Sequence, residues 1–96
     1  MYENLKTISS GKTTYIHKRD AVLFVNKCRE NKVSILGLDG VYCDHGSITP
    51  DLDLIADFSD ARNDADFVTK SCQLALNVIT NFPDSDDLYI DFVLSS

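Results

Sequence analysis

Ninety-six residues, 44% hydrophobic and 25% charged, are enough for one hydrophobic core and read as a single folded domain over residues 1–96, which excludes a disordered chain. The formal charge of −6 is laid out unevenly: residues 1–38 hold seven basic residues against three acids, a net of +4, and residues 39–96 hold twelve aspartates against Arg62 and Lys70, a net of −10. Acid concentrated in this way repels nucleic acid and anionic membrane and attracts cationic partners.

In chain order, Leu5 to Ser9 reads as a short strand and Ser10-Gly11-Lys12-Thr13-Thr14 as a polar loop. From Lys18 to Lys32 the apolar residues Ala21, Val22, Phe24, Val25 and Cys28 recur at helical spacing, and Asn31 supplies a stop. Val33 to Leu38 is apolar on both alternating sets, the pattern of an interior strand covered on both faces. Gly37 and Gly40 mark a bulge or a close backbone approach within it, and Val41-Tyr42 continues the strand past a kink. Asp44-His45-Gly46-Ser47 is turn chemistry. Leu52, Leu54, Ala56 and Phe58 then alternate with Asp53, Ile55 and Asp57, as in a strand with one wet face, with a short helix as the competing reading. Asn63 caps a helix whose stripe is Val68, Cys72, Ala75, Ile79 and Phe82, widened by Phe67, Leu74 and Val78 and closed by Pro83. After the acidic loop Asp84-Ser85-Asp86-Asp87, the residues Leu88, Ile90, Phe92 and Leu94 alternate as a last strand, with Asp91 on its opposite face.

The resulting order, β-α-β-β-α-β, predicts an α/β (α+β) two-layer sandwich: a small mixed sheet of three to four strands with two helices largely on one face, in which a split β-α-β arrangement is one candidate. Cys28 and Cys72 fall on the helical stripes as small buried hydrophobes. The opening Met1-Tyr2-Glu3-Asn4 does not read as a secretory leader and no apolar run has the roughly 20 residues of a membrane span, so a reduced, cytoplasmic setting is expected.

Residue chemistry offers few sites. Cys43-Asp44-His45 brings three metal-ligand types together, but a zinc site draws paired ligands from two elements, and the only other histidine is His17. The aspartates from Asp51 to Asp66 lack the central glycine and closing glutamate of a calcium loop. Clustered carboxylates of a two-metal nuclease must approach phosphate, which an acidic surface opposes. Cys43 and His45 lie too close in sequence to form a catalytic pair with an orienting third group. Gly11-Lys12-Thr13 ends like a phosphate loop, yet Lys6 stands where the first glycine belongs. No catalytic residue, metal ligand or cofactor is therefore assigned.

The aspartates remain. Singly, each reads as a solvated surface residue; together, the depletion of Lys and Arg around them reads as a binding face for a basic protein. The contacts are expected in residues 42–60 and 84–87, at Tyr42, Asp44, Asp51, Asp53, Asp60, Asp84, Asp86 and Asp87, with Tyr42, Tyr89 or Phe58 as aromatic anchors. Asp57 is an alternative structural group, hydrogen-bonding toward Gly37–Gly40.

The run Ile35-Leu36-Gly37-Leu38-Asp39-Gly40-Val41-Tyr42-Cys43-Asp44, followed by Pro50-Asp51-Leu52-Asp53 and Ile55-Ala56-Asp57-Phe58-Ser59, resembles small immunity proteins encoded beside bacterial polymorphic toxins, of the colicin and contact-dependent growth inhibition types. Their pattern is an "ILG-(D/E)-G-F" strand and a "P-x-(L/M)-x-x-I-x-D-(F/Y)-S" segment between two helices; Val41 stands where that pattern has an aromatic. The resemblance implies a non-catalytic bacteriocin-type immunity protein, a toxin inhibitor whose partner is a cognate, basic toxin domain of the nuclease kind. The rival readings are a general adaptor with a basic partner, and an enzyme or metal protein using Cys43, Asp44 and His45.

Overall fold

The computed structural model describes residues 2–61 and 65–95. Among them the chain forms β1 (Thr7–Ser10), β2 (Thr13–His17), α1 (Ala21–Glu30), β3 (Ile35–Asp44), β4 (Ser47–Asp57), α2 (Phe67–Thr80) and β5 (Leu88–Leu94), with single 3-10 turns at Lys18–Asp20 and Ser59–Ala61. The strands make one sheet in the order β1-β2-β5-β3-β4, with every neighbouring pair antiparallel. The sheet is thus five-stranded and antiparallel, where three to four strands in a mixed sheet were expected. The extra strand is β2. Thr13-Thr14-Tyr15-Ile16 carries the β-branched and aromatic residues that favour a pleated surface, and the polar loop shrinks to Gly11-Lys12. Because β2 and β3 each run antiparallel to β5 between them, β2-α1-β3 is a split β-α-β unit.

One core joins both helices to one face of the sheet. Ala21, Phe24, Val25 and Cys28 of α1 and Cys72, Ala75 and Ile79 of α2 pack with Ile16, Ile35, Leu38, Leu88 and Ile90. Phe24 is fully buried, its ring 4.8 Å from that of Phe92 and stacked 5.5 Å from Tyr2. The helices are shorter than the apolar spacing suggests. Lys18–Asp20 forms a 3-10 turn before α1, and Val22 and Leu23 lie on the wet side of α1 at 45% and 54% exposure. Asn31 does end α1, its side-chain amide donating to the Lys27 carbonyl at 2.7 Å. Asn63 lies outside the described residues; the N-cap of α2 is Asp66, whose carboxylate accepts from the Thr69 N–H at 3.2 Å.

The β3–β4 hairpin turns on His45 and Gly46, both at positive φ (49° and 82°), the geometry of a two-residue primed turn. Farther along, the register slips: Asp39 faces Ile55 but Val41 faces Pro50, so residues 51–54 bulge opposite Gly40. An added Cβ on Gly40 would lie 2.7 Å from the Leu54 Cβ, so the bulge seats Leu54 over Gly40 and into the core. Leu52 is thrown outward at 80% exposure, so the expected alternation holds from Leu54 to Phe58 and fails at Leu52, and the segment is strand in place of the competing helix. β3 is also not covered on both faces. Leu38 meets the helices, whereas Gly37 and Asp39 line an open trough on the other side.

No helix among the described residues is long and apolar enough to cross a membrane.

Candidate functional site

Five of the expected contact residues gather at one end of the sheet. Tyr42 pairs with Leu88, and the Cys43 N–H donates to the Asp87 carbonyl at 2.8 Å, so the 84–87 loop lies along the end of β3 beside Asp44. The loop is tied on its other side to β2. His17 is buried; its Nδ1 accepts from the Arg19 N–H at 3.1 Å, which leaves the proton on Nε2 to be donated to the Asp86 carbonyl at 2.8 Å. Lys18 Nζ donates to Asp84 at 2.5 Å, and this ammonium holds the Asp84 carboxyl below the ordinary aspartate range. Asp84 is thus already engaged, while the Asp86 and Asp87 side chains are exposed.

Asp51 and Asp53 sit in the β4 bulge, on the outer edge of the sheet. The Asp51 carboxylate accepts from the Asp53 N–H at 2.9 Å, an Asx turn that shapes the bulge. Asp60 lies beyond the far end of β4, in the Ser59–Ala61 turn, and is not brought beside the 84–87 loop. Asp57 faces Gly37 across the ladder, but its carboxylate accepts from the Ser59 N–H at 2.8 Å and so serves the turn. Of the aromatic anchors, Tyr89 and Phe58 are buried at 5% and 8% exposure and are unavailable to a partner. The Tyr89 ring packs edge-on against His17 at 4.9 Å, and Phe58 belongs to the core. Tyr42 is half-buried against that same core.

The Cys43-Asp44-His45 segment holds one contact of note, His45 Nδ1 to Asp44 Oδ1 at 2.6 Å on the exposed turn. Burial, and after it the Asp87 carboxylate, push the Cys43 thiol up from its ordinary value, the opposite of what a nucleophile needs. Burial also raises Cys72 and pushes Cys28 up to about 12.

The fold brings together two carboxylates that are not among the expected contact residues, Asp39, whose role the sequence leaves open between structural and contact, and Asp91. Asp39 on β3 and Asp91 on β5 are directly opposite one another, on the sheet face away from the helices. Burial, reinforced by Asp39, raises the Asp91 carboxyl above its ordinary value. Ile55 and Val93, at 51% and 46% exposure, flank the pair. The available signal was Asp91 standing out of phase with Leu88, Ile90, Phe92 and Leu94; its pairing with Asp39 depends on strand order, which a single sequence does not carry.

The charge asymmetry of the chain is only partly one of space, since Lys18 of the basic half pairs with Asp84 of the acidic half. The β1–β2 hairpin, with Lys12, lies at one edge of the sheet, and the β3–β4 hairpin, with Asp44, Asp51 and Asp53, at the other. The acidic edge can steer a cationic surface toward it. Compared with protein-family models, with curated proteins and with solved structures, the chain matches none.

Proposed function

We propose that this protein is a cytoplasmic immunity protein that binds a cognate bacterial toxin domain, a basic one of the nuclease kind, and neutralises it by stoichiometric occlusion. The observation that carries the reading is the acidic edge: Asp44, Asp51 and Asp53 follow one another along β3 and β4, with Asp60 past the end of β4. A nuclease is basic where it meets phosphate, so a carboxylate-rich surface competes for that site by the same electrostatics. Attraction between the two raises the association rate above the roughly 10⁵–10⁶ M⁻¹s⁻¹ of neutral pairs, which suits a protein that must reach the toxin before the toxin reaches its substrate. Occlusion asks for no turnover.

The test is genetic and biochemical. The protein encoded beside this chain is expressed alone and together with it, and the pair is mixed at low and high salt. Growth arrest by the neighbour alone, rescue by this chain and an equimolar complex weakened by salt are expected. A neighbour that is harmless, or that kills regardless of this chain, overturns the reading and leaves a general adaptor for a basic protein.

A further inference from the structure

We propose that the open face of the β5-β3-β4 sheet, around Gly37, Asp39, Ile55, Asp91 and Val93, is a docking surface for an arginine-bearing segment of a protein partner. The proposal rests on the reading of a basic partner given above, and moves its anchor from the acidic edge to the sheet face.

The register assembles the surface. Asp39 is opposite Asp91 on one side and Ile55 on the other, and Gly37 is opposite Val93 and Asp57, so these six residues share the face that the helices leave uncovered. With no side chain, Gly37 leaves the floor of a trough of about 300 Å³ between Ile55 and Val93. Among the described residues, neither Asp39 nor Asp91 has a hydrogen-bonding or ion-pair partner. Like charges directly opposite on neighbouring strands oppose the fold, and a sequence that keeps such a pair unneutralised breaks a local rule without a gain inside the molecule.

The chemistry of the trough selects its occupant. Apolar walls beside the Asp39 and Asp57 carboxylates, with Asp91 next to Asp39 across the ladder, suit a long side chain that lays its methylenes on Ile55 and Val93 and presents a cation to the acids. Guanidinium suits this better than ammonium, because its planar fork serves two carboxylate oxygens at once and is more weakly hydrated. A second copy of this chain is a poor occupant, since face-to-face pairing would set one carboxylate pair against another. Nucleic acid and anionic lipid are repelled by the same charge.

The probe is the capped pentapeptide Val-Arg-Val-Arg-Val, with its citrulline counterpart as the neutral isostere, titrated into the ¹⁵N-labelled protein. The arginine peptide is expected to move the amide signals of Asp39, Ile55, Asp91 and Val93, and the citrulline peptide to leave them in place. The Asp39→Asn/Asp91→Asn double variant, which removes a repulsion and therefore folds, is expected to bind at least about tenfold more weakly. Ile55→Ser is expected to weaken binding as well. No binding, equal response to citrulline, shifts centred on residues 84–87, unchanged affinity in the double variant, or self-association through this face each overturns the proposal. The peptide experiment involves no toxin, so the two readings fail separately. A toxin held equally well by wild type and the double variant removes this surface and leaves the immunity function standing. Arginine-specific binding on the trough with no toxin partner does the reverse.

Discussion

Ser71 shows how one side chain can join two layers. It is fully buried in α2, where its hydroxyl donates to the Val68 carbonyl at 3.2 Å and accepts the Ile35 N–H of β3 at 2.9 Å. The β3 register slips between Ile35 and Gly37, so Ile35 is where the strand needs help from outside the ladder. Ser71→Ala keeps the volume nearly unchanged but strands a buried N–H, which costs about 1–3 kcal/mol. A urea titration is expected to show a lowered midpoint with an unchanged slope, because the compactness of the two states is the same. A midpoint equal to wild type would mean that Ile35 finds another acceptor. At this scale the sequence is least legible. The stripe of Cys72, Ala75 and Ile79 announces a buried face, but a serine beside it reads as solvent-facing until the strand it serves is in place. The same holds for His17, whose partners are the backbone groups of Arg19 and Asp86.

At the scale of elements, legibility follows period. β5 spans the residues that alternation assigned, Leu88–Leu94, and α2 follows its apolar stripe, because both bury one face against a single core. Polarity hides β2, and the start of β4 is hidden the same way, because Ser47, Thr49 and Pro50 read as turn and loop residues. That bulge makes a prediction of its own. Leu54 occupies the space over Gly40, with its Cβ 2.7 Å and its Cδ1 2.9 Å from where a Cβ on Gly40 would lie. Gly40→Ala therefore forces Leu54 out of the core or the two strands apart, for a loss of about 1–3 kcal/mol. Hydrogen exchange is expected to speed up along β3 and β4, with β1 and β2 little changed. Uniform acceleration over all five strands would mean that the sheet opens as one unit instead.

Over the whole molecule, the charge sets how stability responds to pH, and the groups pull in opposite directions. The Lys6 N–H, donated to the Asp20 carboxylate at 2.8 Å, holds Asp20 below its ordinary value, as Lys18 does for Asp84. A depressed carboxyl contributes stability above its unfolded value, and that contribution is lost as pH falls through the folded one. Asp91 is the reverse case. Its carboxyl is raised above the reference 3.8 by burial and then by Asp39, so the folded state holds the proton more tightly than the unfolded chain does. Stability from this group is present below the unfolded value and is lost as pH rises through the raised one. At neutral pH the molecule thus carries a repulsion it would shed in acid. Asp91→Asn removes this contribution alone. The variant is expected to be more stable than wild type at pH 7 by a few tenths to about 1 kcal/mol, the range for opposed like charges in a sheet. That advantage shrinks as pH falls from the raised Asp91 value to the ordinary aspartate value, below which Asp91 is neutral in both states. Added salt at pH 7 narrows the same gap by screening the pair. Denaturant titrations of both proteins from neutral to acid pH measure this directly, and an advantage that persists unchanged in acid would assign the gain to packing and release Asp39 and Asp91 from any electrostatic role.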